Sequence, residues 1–120
     1  MIVVSLTLNI IVLVPVLTAL QLGGRRVDGV FGERSPAREI LRSVYAAILL
    51  ASATLLIAVL LDVEPRLVEG AVLGLLAIQV VYKVGTAVTV RHAFRNPVVL
   101  SNLGIAAVHG ATIVTVLVGA

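Results

Sequence analysis

Lys83 is the residue in this sequence most open to chemistry. No charge precedes it from Gly70 to Tyr82, and Val84-Gly85-Thr86 follow it. Gln79, Tyr82, Lys83, Thr86 and Thr89 recur at intervals of three or four residues, so on a helix they share one face. Asn102, His109 and Thr112 form a similar polar group further on, and Ser5 and Asn9 stand in the opening apolar run. A histidine in an apolar run suits a haem ligand, a quinone contact or a proton relay. His92, the other histidine, stands at a helix rim, too far in depth from His109 for the two to bridge one haem within a chain. No metal ligand follows His109 at three or four residues, so no metal site is expected. No cofactor is expected either.

The elements that carry these residues are four long apolar helices. Nine Lys or Arg and six Asp or Glu fall in three short clusters among 120 residues. No side chain is charged from Met1 to Gly24, Ser43 to Leu61, Gly70 to Tyr82, or Asn96 to Ala120. Hydrophobic residues make up 60% of the chain, against about 45–50% in soluble domains. A bilayer core about 30 Å thick needs roughly 20 mostly apolar residues per helix. The expectation is an all-α membrane protein, one transmembrane domain over residues 1–120, with helices at about 2–22, 36–61, 65–90 and 97–118. The first run lacks a basic leader and exceeds the usual 7–15 apolar residues of a signal peptide, so it reads as a retained helix.

Local signals set the boundaries. Gly23-Gly24 ends the first span, which Pro15 is expected to kink. Val27, Val30 and Phe31 have helical spacing and predict a short interfacial turn. Ser35 before Pro36, and Asn96 before Pro97, are N-cap and first-turn pairs. The resemblance of Arg34-Ser35-Pro36 to Arg95-Asn96-Pro97 marks either two hairpin repeats or merely two common helix starts. Asp62-Val63-Glu64 is long enough only for a hairpin turn, so the second and third spans are expected to be antiparallel neighbours. The uncharged core of the third span is thirteen residues, roughly 20 Å, so that helix has to run on through Lys83. The lysine then lies about 10 Å from the helix end. It either stretches its stem to the surface or lines a polar cavity as an anion site or proton carrier.

Charge sets the expected orientation. Eight of the nine basic residues flank the first and third connections; Arg66 alone flanks the second. The positive-inside rule places the richer side in the cytoplasm and both termini outside. Arg25, Arg26, Arg34, Arg38 and Arg42 are expected to meet lipid headgroups. Arg38 and Arg42 near a helix N-terminus call for a negative partner, from Glu39, a lipid or another protein. Gly70 and Gly74, Ala47 and Ala51, and Ala106 and Gly110 have the spacing of close helix contacts.

These features exclude more functions than they select. The net charge of +3 borders apolar segments, so membrane lipid is the expected partner and nucleic acid is not. Cysteine is absent, which removes thiol catalysis. No paired carboxylates or nucleophile–base pair support an enzyme. The expected function is a structural or accessory subunit of a plasma (inner) membrane assembly, with other subunits or further copies as partners. The alternative is a small homo-oligomeric transporter or channel lined by Gln79, Tyr82, Lys83, Thr86, Asn102 and His109. The polar groups of the last two spans are also expected to pair across a register in which residue numbers sum to about 188. That register sets Gln79 opposite His109 and Thr86 opposite Asn102.

Overall fold

The computed structural model describes residues 1–119; Ala120, the last residue of the expected domain, lies outside them. The helices are α1 (Ile2–Leu22), α2 (Arg25–Phe31), α3 (Pro36–Leu60), α4 (Pro65–Thr89) and α5 (Pro97–Gly119), with a 3-10 turn at Ala93–Arg95. No strand occurs among the described residues. The four long helices are each apolar and long enough to cross a membrane. Their ends lie within one residue of those expected from sequence.

The predicted start signals act as the physics requires. Ser35 Oγ accepts from the Arg38 N–H at 3.2 Å, and Asn96 Oδ1 accepts from the Val98 N–H at 2.9 Å. Each cap satisfies one of the N–H groups that a helix start leaves open. α1 runs through Pro15 unbroken and closes at Gly23, whose N–H bonds Ala19 O. Gly23 has φ +73°, and a Cβ there would approach the Arg34 guanidinium to 3.2 Å. The positive φ favours glycine there.

The long helices pack as two tight pairs, α1 with α3 and α4 with α5. α3 and α4 touch less extensively, although only a short turn joins them. Two seams lie between the pairs. At the chain-terminus end, Leu6, Val68, Val72 and Leu76 close them as a buried apolar cluster. At the other end Leu13, Leu20, Tyr45 and Ile48 form a second cluster, and α2 packs Val27 and Phe31 onto it.

The glycines of the small-residue motifs make no close backbone contact within the chain, while Ala106 is buried. A Cβ built on Gly70, Gly74 or Gly110 would meet nothing within 4 Å. Close backbone approach requires the opposite.

Candidate functional site

Two polar groups occupy the bundle interior. The first lies between α1, α3 and α5. His109 is fully buried, and its Nε2 lies 2.9 Å from Asn9 Oδ1 and its Nδ1 3.0 Å from Ser5 Oγ. Asn9 Nδ2 donates to Ser52 Oγ at 3.0 Å, and Ser5 and Thr112 hydroxyls lie 2.8 Å apart. One proton arrangement places a donor in each of these contacts. Thr112 donates to Ser5 rather than to its own helix at Val108 O, 3.0 Å away, Ser5 donates to Nδ1, Nε2–H to Asn9, and Asn9 to Ser52. It uses the neutral tautomer with its proton on Nε2.

This geometry overturns the pairing expected between the last two spans, though the Lys83–Asn102 bond keeps to the expected depth register. His109 turns to α1, and both ring nitrogens are occupied there. Thr86 Oγ1 donates to its own helix at Lys83 O, and Asn102 Oδ1 accepts from Lys83 Nζ instead. Gln79 is 1% exposed, yet its Nε2 has no partner. An unsatisfied buried donor costs about 1–3 kcal/mol. Gln79→Met keeps the side-chain length and removes that donor. It should raise the unfolding midpoint in detergent, by an amount equivalent to about 1 kcal/mol. A lowered midpoint would mean that the amide has a partner.

The second group lies beneath α2. Lys83 is 4% exposed, and Nζ donates to Asn102 Oδ1 at 3.1 Å. It also lies 5.0 Å from the centroid of the Tyr82 ring, within cation–π range. The stem does not reach the surface, and the residue lines a cavity. No carboxylate lies within 4 Å of Nζ among the described residues.

Two cavities lie near this pair and share part of their lining. One, of about 310 Å³, lies in the seam between α1 and α5, with Lys83, Asn102 and Arg26 on its wall. The other, of about 340 Å³, lies among α2, α3, α4 and the start of α5 and is lined in part by Tyr82 and Thr86. Tyr82 Oη is buried without a partner. Asn102, Phe31 and Tyr45 line both cavities. The two rings pack edge to face, 6.4 Å apart at 77°.

α2 is held over these cavities from both sides. Asn96 Nδ2 donates to Val30 O at 3.0 Å. On the other flank Arg38 donates to Asp28 Oδ1 and, at 2.9 Å, to Gly32 O. This corrects the headgroup role expected of Arg38, which is 3% exposed and used inside the protein. Arg34 donates to Leu20 O and Gln21 O at the end of α1, where a helix dipole favours cations. Arg42 pairs with Glu39 at 2.8 Å and reaches Gln21. Arg25 and Arg26 are exposed.

No family model, curated protein or solved structure matches the chain. The site is therefore argued from its own residues. Ser52 had not been singled out in the sequence, although a hydroxyl deep in an apolar span always needs a partner. Tyr45 carried no such sign, because a single tyrosine in an apolar run is ordinary core.

Proposed function

We propose that the chain is an accessory subunit of a plasma (inner) membrane assembly. In this reading it is a four-span bundle of antiparallel hairpins with both termini on the non-cytoplasmic side. The observation that carries it is the closed hydrogen-bond chain around His109. The deepest polar groups of α1, α3 and α5 satisfy one another, and the Leu6–Leu76 cluster packs the terminus end of the bundle. A single copy so built has little polar lining to offer a through-path. Only 17–28% of each span's most apolar window is buried within the chain. The rest is available to lipid, to unlike subunits or to further copies. Gly70 and Gly74 stand clear of neighbours and suit a close-packed partner helix.

Lys83 favours a second reading, a homo-oligomeric transporter. A buried lysine on a cavity is the usual mark of a path or ligand. Purification from native membranes in mild detergent separates the two. An assembly of unlike subunits supports the accessory role; a pure small homo-oligomer supports transport.

Orientation has its own test. Glu33 and Val63 are exposed at the two opposite connections. Single cysteines at these positions should react with an impermeant thiol reagent from opposite sides, Glu33→Cys from the cytoplasm. Labelling of both from one side contradicts the four-span arrangement.

A further inference from the structure

We propose that the cavity between α1 and α5 beneath α2 binds a single-chain amphipathic carboxylate drawn from the membrane. The site goes beyond the accessory role and holds under either reading of the whole protein. Its volume of about 310 Å³ is at the small end of ligand pockets, roughly 300–1,000 Å³. At about 30 Å³ for each water-sized group, it holds roughly ten heavy atoms. A carboxylate and the first carbons of one chain fit; a two-chain lipid with its glycerol does not. Val12, Leu13, Val16, Val27 and Ile105 supply apolar walls. A longer chain continues out between α1 and α5, which pack loosely.

Charge selects the head. The two ionisable groups of carboxylate-complementary sign on the wall are Lys83 and Arg26, and no acid lines the cavity. Lys83 Nζ has three donors and gives one to Asn102. An ammonium with 4% exposure and no carboxylate within 4 Å is expensive to hold. It meets that cost by releasing its proton or by taking an anion. A second cation on the same wall favours the anion. Arg26 is exposed and water screens it, so the buried charge to be balanced is the single ammonium of Lys83, which suits a carboxylate better than a monoester phosphate head of up to two charges.

The test uses the full chain in phosphatidylcholine nanodiscs with radiolabelled palmitate. Saturable binding of one palmitate per chain is expected. Lys83→Met should weaken it at least tenfold, and Lys83→Arg less. Val12→Trp, which fills the wall and leaves Lys83 in place, should also abolish it. Thermal unfolding of each variant establishes that it is folded. Palmitate methyl ester should compete poorly, and so should hexadecyl phosphate and inorganic phosphate. Absence of saturable binding to the folded wild type overturns the proposal. So does unchanged binding by folded Lys83→Met and Val12→Trp. Equal competition by the methyl ester overturns the anion's part, and preference for hexadecyl phosphate overturns the carboxylate assignment.

Discussion

Arg38→Ala should destabilise the protein by about 1–3 kcal/mol, the scale of leaving carbonyl acceptors without their donor, since Asp28 itself is partly exposed and stays hydrated. The guanidinium is 3% exposed and joins four segments. It donates to Asp28 on α2, to Gly32 O in the connection, and at 3.4 Å to Leu20 O at the end of α1, while its backbone belongs to α3. Truncation leaves the Gly32 carbonyl short of a donor and frees one flank of α2. The Asn96 bond to Val30 O and the packing of Val27 and Phe31 then hold that helix. Trypsin should accordingly cut faster at Arg25, Arg26 and Arg34. Arg38→Lys keeps the charge but lacks the fork that reaches several acceptors at once, so it should recover only part of the loss. Unfolding in mixed detergent micelles measures both variants. The effect should be the same in zwitterionic and anionic lipid, because the partners are within the chain. A loss seen only in anionic lipid would restore the headgroup role for Arg38.

The contrast between that arginine and the helix ends shows which features sequence carries. Span boundaries were legible because each depends on local chemistry: an uncharged run of the right length, Ser35 or Asn96 as cap, a proline after it. The short helix over Arg25–Phe31 was legible from the spacing of Val27, Val30 and Phe31. The direction of Arg38 was not. It lies two residues from Ile40, which is 65% exposed, and near a membrane rim a cation gains from facing either lipid phosphate or helix-end carbonyls. Depth alone does not choose between them. Partner choice in the interior failed for a related reason. The register rule considered only spans joined by a short connection, and α5 was matched to α4. His109 bonds Ser5 and Asn9, about a hundred residues away in sequence. Lys83 was legible as unusual, but its burial depends on α2 covering the seam, which is a tertiary matter.

His109→Leu should cost about 1–3 kcal/mol, and a double-mutant cycle should locate where the energy lies. Interhelical hydrogen bonds between membrane helices contribute about 0.6 kcal/mol on average and up to about 1.7. The imidazole makes two, to Asn9 and Ser5. Its removal also leaves the Asn9 carbonyl oxygen without its donor in a dry interior, which adds to the loss. Asn9→Leu should cost a similar amount, since it breaks the bond to His109 and the bond to Ser52. The two changes remove the same interaction, so the double variant should be less damaged than the sum, by about 1 kcal/mol or more. The cycle of His109→Leu with Gln79→Met should instead be additive to within about 0.5 kcal/mol, because Gln79 Nε2 bonds nothing. A large coupling with Gln79 and none with Asn9 would reinstate the pairing of the last two spans. The opposite result ties the last helix to the first through His109, so that α1 is held in the bundle by hydrogen bonds as well as by its apolar face.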